Sequence, residues 1–261
     1  MRVRLTLAGS IVALALAGCG TSDDALDTTT TTTTQASSTT TTEASTTTAL
    51  ACDAGPRPNG AIQVVEAAGD FDGDGTADVL VTYGGGTEAD PSPWHARVEL
   101  AAGGAADTVI PDASGFAPVR ALGAADISTD AGLPPDGSGD EAFVQVGSGA
   151  SDALVGIFQW QACSLLRLPG PGATDLNVFA VGGSVTHLDG LRCEGVAGGQ
   201  RLIVLSAAST DGTTYATTEQ AVRIEAGRFV PAGPLSEGEI AGNSPELAAY
   251  AIVDCIGVET P

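Results

Sequence analysis

The sequence predicts an all-β fold made of three to four copies of one strand-rich repeat, and three observations support this. Glycine and proline, 35 and 14 of 261 residues, interrupt the chain often, and no segment has a sustained helical periodicity. Short apolar or alternating runs recur instead, as in β-strands. The runs are also evenly spaced, because Asp78, Asp140 and Arg201 stand just before matching runs, 62 and then 61 residues apart.

Each repeat contains four predicted strands, and its last two strands are joined by a tight turn. The predicted strand segments are 61–67, 78–83 and 95–111 in the first repeat, 118–126, 141–146 and 154–169 in the second, and 177–190, 201–207 and 221–233 in the third. Four strands in about 60 residues is the size of a propeller blade. We therefore predict a small β-propeller-like domain, in which 235–255 supplies a truncated fourth blade or a closing strand. An open or sandwich-like stack of three sheets is the alternative.

An aspartate-rich loop, GDFDGDGTADVLV at 69–81, leads into the central strand of the first repeat. Its acidic residues occupy positions 1, 3, 5 and 9 of a calcium-type loop, and Gly75 at position 6 permits the sharp turn. Position 7, Thr76, offers its backbone carbonyl as a ligand. The predicted calcium ligands are Asp70, Asp72, Asp74, Thr76 and Asp78. An acidic, glycine-rich turn without a metal is the alternative.

The loop shares its first half with the EF-hand, but Val81 stands at position 12, where an EF-hand has a glutamate. The loop also enters a β-rich run and has no flanking helix. In both respects it resembles the FG-GAP or VCBS-type repeats of integrin-like β-propellers, over residues 69–81. This resemblance implies that the ion rigidifies a blade loop while other loops meet binding partners.

Only the first repeat keeps the full pattern of calcium-ligand positions. In the second, DGSGD at 136–140 aligns with DGTAD at 74–78, so a second, weaker ion site within 126–140 stays open. In the third repeat Arg201 occupies the last ligand position. We expect no ion there, because the arginine would compete with a cation.

The N-terminal region predicts the location of the protein. Residues 1–18 combine two arginines with an apolar run and end just before Cys19, in the lipobox-like sequence LAGC. We predict a lipoprotein signal peptide, cleavage before Cys19 and acylation of its thiol, which would anchor the chain on the extracytoplasmic face of the cell membrane. An ordinary signal peptide with an incidental cysteine is the alternative. The threonine-rich segment 19–50 predicts a disordered spacer, and 51–261 the folded domain.

The charge balance disfavours two classes of partner. Loss of residues 1–18 leaves 8 basic against 32 acidic residues, a formal charge of −24, and the chain has no lysine. Such a surface disfavours nucleic acid and anionic lipid headgroups. It is compatible with divalent cations or basic partners.

Four cysteines follow Cys19, and an even number in an exported chain predicts two disulfides. Three pairings are possible. A bond between Cys52 and Cys255 would tie the first strand to the last, while Cys163 and Cys193 lie within reach on neighbouring repeats.

The sequence contains no recognisable catalytic motif. His187, near Asp189, is interpreted as a hydrogen-bonded turn histidine, with a general base as the alternative. Trp94 and Trp160 are expected to pack between sheets. The alternative for Trp94, which stands beside His95, is the edge of a small-molecule site. We therefore favour a calcium-stabilised binding or adhesion module without catalytic activity, with a protein or glycan ligand. The alternative is an exported hydrolase that acts on polysaccharide, although no carboxylate pair can be named for it.

Overall fold

The structure is a computed structural model that describes residues 52–111, 113, 119–127, 139–174, 177–196 and 198–261. The predicted signal peptide, Cys19, the predicted spacer and most of the second acidic loop lie outside these ranges. Within them, no helix has the length and apolar character needed to cross a membrane.

The first repeat forms a four-stranded antiparallel sheet, the first meander, in which strands pair in chain order. Its strands are β1 (Ile62–Gly69), β2 (Asp78–Gly84), β3 (Trp94–Glu99) and β4 (Ala105–Ile110). The last two are joined by the predicted tight turn, where Gly103 and Gly104 have positive φ angles of 93° and 100°. The predicted strands of this repeat are thus confirmed.

The second repeat forms the second meander, again with strands paired in chain order. Its strands are β5 (Arg120–Ala125), β6 (Glu141–Ser148), β7 (Asp152–Gln161) and β8 (Ser164–Arg167). The predicted turn between β7 and β8 is confirmed, and Ala162 and Cys163 adopt positive φ there.

The third repeat differs at its start from the prediction. The single strand predicted at 177–190 is two strands, β9 (Phe179–Ser184) and β10 (His187–Val196), which pair antiparallel across a tight turn. The third meander then consists of β10, β11 (Gly199–Ala208), β12 (Thr214–Glu225) and β13 (Arg228–Pro231). Because β9 pairs with both β7 and β10, the second and third meanders form one continuous sheet.

The C-terminal segment does not form a fourth meander. It contains β14 (Ser236–Ala241), a 3-10 helix (Pro245–Ala251) and β15 (Val253–Asp254). β14 pairs with the first half of β12, β15 pairs in parallel with β10, and Val258 bridges to Gly123 of β5. Proline at the start of the helix interrupts the strand pattern. The predicted truncated blade is therefore replaced by a strap that joins the third meander to the second, and neither sheet closes into a barrel.

The second meander is buried on both faces. Because side chains alternate along its strands, successive residues of β6 pack into different cores. Val144 and Val146 of β6 pack in one core with Leu80 of the first meander. Phe143, between Ala142 and Val144, packs in a second core with Leu191 of the third meander. The three meanders thus stack as layers, and the 3-10 helix covers a third cluster on the far face of the third meander.

Trp94 belongs to the core between the first and second meanders, with 9% of its surface exposed. The expected packing of Trp94 between sheets is therefore confirmed, and the alternative, a ligand-binding edge, is excluded. His95, the next residue along the strand, points to the opposite face, where its ring stacks on Tyr83 with a centroid distance of 4.7 Å. Its Nδ1 lies 2.7 Å from Asp107 Oδ1, and the Tyr83 hydroxyl donates to the same carboxylate.

Two disulfides are present, as predicted, but their pairing differs from the one described above. Cys52 bonds to Cys163, and Cys193 bonds to Cys255. The layered order explains the difference: the chain start pairs with the edge of β4, beside the β7–β8 turn that carries Cys163. Cys255 instead follows β15, which lies along β10, the strand that carries Cys193.

Glu219 on β12 connects the third meander to the 3-10 helix. Its carboxylate accepts hydrogen bonds from Arg192 Nη2 at 2.8 Å and from the Tyr250 hydroxyl at 2.7 Å. The Arg192 hydrogen bond lowers the pKa of Glu219, partial burial opposes this, and the bond from Tyr250 lowers the pKa further.

We expect Glu219→Gln to lower the free energy of unfolding at neutral pH by about 1–2 kcal/mol, because a partly exposed charged hydrogen bond is lost. The folded-state pKa of Glu219 lies below its ordinary value of 4.5. Its stabilising effect is therefore present above that value and is lost as the pH falls through the folded-state pKa. Urea unfolding at neutral and at strongly acidic pH measures this, with the exposed Glu237→Gln as control. A difference from wild type that persists unchanged in acid would contradict it.

Candidate metal centre

The acidic loop, residues 70–77, connects β1 to β2 at one end of the first meander. Gly73 and Gly75 have φ angles of 73° and 83°, which favour glycine and let the chain turn sharply. Three aspartates accept hydrogen bonds from backbone N–H groups inside the loop. Gly75 N donates to Asp70 Oδ2 (2.9 Å), Asp74 N to Asp72 Oδ1 (3.2 Å) and Thr76 N to Asp74 Oδ1 (2.7 Å).

Three of the predicted ligands come together as a carboxylate triplet, Asp70, Asp72 and Asp78. One carboxylate oxygen from each lies within 4.8 Å of the other two. Asp78, 2% exposed, is held firmly because its two oxygens accept from Phe71 N at 2.9 Å and Ala101 N at 2.8 Å. The triplet is therefore fixed to the β-sheet on one side and to the loop on the other.

The donor set of the triplet fits a hard cation, which prefers carboxylate oxygens. Asp70 Oδ1 is buried and has no hydrogen-bond donor among the described residues. A buried carboxylate oxygen without a donor is unfavourable, and a cation would satisfy it. No other group of three or more acidic, histidine or cysteine ligands occurs in the described ranges.

The remaining two predicted ligands are not part of the triplet. Asp74 is exposed, and its carboxylate caps the following turn through Thr76 N. Thr76 is also exposed.

Asp140, just before β6, packs against the acidic loop, which sequence analysis did not anticipate. Its Oδ2 accepts from Asp70 N at 2.7 Å, and its own N–H donates to Asp70 O at 2.7 Å. The preceding Gly139 has a φ of 75°, and a Cβ there would lie 2.3 Å from Asp70 O. The alignment of repeats left open a second, weaker ion site that would include Asp140. The rest of that loop, 128–138, lies outside the described residues.

The proximity of these carboxylates affects their protonation. Burial raises the pKa of Asp72, the hydrogen bond from Asp74 N opposes this, and the charges of Asp78, Asp74 and Asp70 raise it further. Burial likewise raises the pKa of Asp140, opposed by the bond from Asp70 N and supported by the charges of Asp70 and Asp78. In the absence of a cation, ionisation of Asp72 and Asp140 is therefore less favourable than ionisation of an isolated aspartate.

His187 is the first residue of β10, directly after the β9–β10 turn. Its Nε2 lies 2.7 Å from Asp189 Oδ2, so the predicted hydrogen bond to this histidine is present.

Comparison with protein-family models, with curated proteins and with solved structures finds no match to this chain.

Substitutions of Asp140 separate its hydrogen bond from its charge. We expect Asp140→Ala to be less stable than Asp140→Asn by about 1–3 kcal/mol, because alanine leaves Asp70 N without an acceptor. Asp140→Asn should be at least as stable as wild type at neutral pH without calcium. The raised folded-state pKa means that the ionised form costs stability as the pH rises through it. Urea unfolding in EGTA measures both effects, and equal destabilisation by the two substitutions would contradict this interpretation.

Proposed function

We propose that this protein is a membrane-anchored binding or adhesion module, displayed on the extracytoplasmic face and stabilised by calcium. The observation that carries the proposal is the carboxylate triplet of Asp70, Asp72 and Asp78 with its buried, unpartnered oxygen. Calcium held by these residues would offset their mutual repulsion. Extracellular calcium is abundant enough to fill sites with dissociation constants of about 0.1–1 mM.

Two further observations support a binding role. The loop motif resembles FG-GAP or VCBS-type repeats, in which calcium stiffens a blade, and the three stacked meanders have the strand number and order of propeller blades. We propose that the domain is an open, propeller-like arrangement of three such blades. The acidic composition favours a neutral or basic partner over nucleic acid.

The anchor is proposed from the sequence LAGC at 16–19. An acylated Cys19 buries acyl methylenes at about 0.8 kcal/mol each, so a multiply acylated chain would stay on the membrane. The spacer at 20–50 would hold the folded domain away from the surface.

Calcium titration tests the metal assignment. In 10 mM calcium, wild type should gain about 1–3 kcal/mol of unfolding free energy over EGTA, by mass action on a site of the affinity given above. Asp72→Asn should lose this gain. In EGTA the same variant should be at least as stable as wild type, because the charge of Asp72 is unfavourable there. Thermal and urea unfolding of the purified protein measure both.

Asp211→Asn is the matched control, because Asp211 also caps a tight turn, through Thr213 N, but belongs to no cluster of metal-type ligands in the described residues. It should keep the full calcium gain. The metal assignment would be contradicted if calcium did not change the unfolding free energy of wild type, or if Asp72→Asn kept the full calcium-dependent gain.

Membrane fractionation tests the anchor. We expect wild type to sediment with membranes and to incorporate labelled palmitate, and Cys19→Ser to lose both properties because no thiol remains for acylation. The Asp72→Asn variant serves as control and should remain with the membranes. Retention of Cys19→Ser in the membrane fraction would contradict lipid anchoring at this residue.

A further inference from the structure

A cleft of about 440 Å³ opens on one face of the third meander, within the size range of small-molecule sites. Its floor continues the face that carries Leu191 and Leu202, which are buried against the second meander. Toward the cleft the same face becomes polar. The polar floor of this cleft therefore differs from an ordinary solvated sheet surface, because it directly adjoins a packed core.

The strand register assembles the floor of the cleft. Asp189 on β10 lies opposite Ser206 on β11, and Ser206 lies opposite Thr218 on β12. Directly opposed residues have Cβ atoms about 4.5–5.5 Å apart, so the three oxygen-bearing side chains form one row across three strands. His187, on the same strand face as Asp189, extends the row and pairs with it.

The walls of the cleft are closely packed on one side and apolar at the rim. Gly172 of the β8–β9 segment packs directly on the sheet, since a Cβ there would lie 2.6 Å from Val204 Cγ1. Phe179 is buried in the adjoining core and closes a second side. Leu235 is 49% exposed and lies beside the polar floor.

The polar groups of the floor retain hydrogen-bonding capacity. Within the described part of the chain, the side-chain hydroxyls of Ser206 and Thr218 make no hydrogen bond, and each can both donate and accept. Gln220 donates from Nε2 to Ala221 O at 2.8 Å and to Gly233 O at 3.2 Å, which leaves its amide oxygen as an acceptor. The floor therefore offers several donors and acceptors side by side.

This chemistry excludes some ligand classes and favours one. No lysine or arginine is among the described residues that line the cleft, and the histidine among them, His187, is already paired with Asp189. A phosphate or carboxylate group would therefore find no unpaired cationic side chain there. The carboxylate of Asp189 is already paired with His187, which weakens its attraction for an amine. A ligand with neighbouring hydroxyls and an apolar ring face would match both the polar row and Leu235.

From this juxtaposition we propose that the cleft binds a neutral carbohydrate. The inference rests on the proposed binding function and names the ligand class and its site. Asp189 accepts from sugar hydroxyls, Ser206 and Thr218 exchange hydrogen bonds with the same ring, and Leu235 contacts its C–H face.

Saturation-transfer NMR on the purified protein in calcium tests the proposal. The probes are glucose, galactose, mannose, arabinose, N-acetylglucosamine, maltose and cellobiose, with putrescine and inorganic phosphate as cationic and anionic probes. We expect transfer to at least one sugar and none to the charged probes. Thr218→Val should weaken sugar binding about fivefold through one lost hydrogen bond. Asp189→Asn should weaken it about tenfold or more, because a neutral amide replaces a charged carboxylate acceptor.

Thr108→Val is the matched control, because Thr108 is a half-buried strand threonine in the first meander, away from the cleft. It should bind sugar like wild type, and unfolding curves check that every variant is folded. Transfer to no sugar, transfer to a charged probe alone, or sugar binding that Thr218→Val and Asp189→Asn leave unchanged would each overturn the proposal. Calcium-dependent unfolding on the same samples keeps this result separate from the metal assignment, since either can fail while the other holds.

Discussion

Burial of the second meander on both faces is the constraint on which the rest of the structure depends. Its central strand, β6, carries apolar side chains at successive positions, so Val144 faces the first meander and Phe143 faces the third. A single four-stranded sheet cannot cover both apolar faces of such a strand, because each repeat supplies only one layer of the structure. The layers on either side are therefore required for folding, and the Cys52–Cys163 disulfide links the first layer to the second.

The same stacking gives the acidic loop a role beyond its own repeat. Asp140 exchanges two hydrogen bonds with the backbone of Asp70, so the start of the acidic loop is fixed by the second meander. The added carboxylate also increases the repulsion that the triplet experiences. A calcium ion at the triplet would thus stabilise the contact between two layers as well as one local turn. Through this coupling, a loop of few residues would influence the stability of the whole domain.

The sequence predicted what depends on local pattern and failed where distant segments meet. The central strands and the last hairpin turn of each repeat followed from alternation and glycine positions, although the β9–β10 hairpin was predicted as a single strand. The aspartate spacing within 70–78 predicted the three residues of the triplet, but also Asp74 and Thr76, which lie outside it. The disulfide pairing depends on the order of layers, which local pattern does not contain. The role of Asp140 depends on docking between repeats. The cleft depends on cross-strand register, because Asp189, Ser206 and Thr218 become neighbours only when three strands align.

The proposed ion site and the proposed sugar site belong to different layers, the first and the third, with the second meander between them. A ligand changes affinity at another site only if it interacts differently with two conformations of the protein. The described structure contains one arrangement of the layers, and its central layer is packed on both faces. Calcium would then control how much of the protein is folded, and hence how many clefts exist, while the affinity of each folded cleft stays constant. In this arrangement the ion supports the scaffold and the strand register provides ligand recognition.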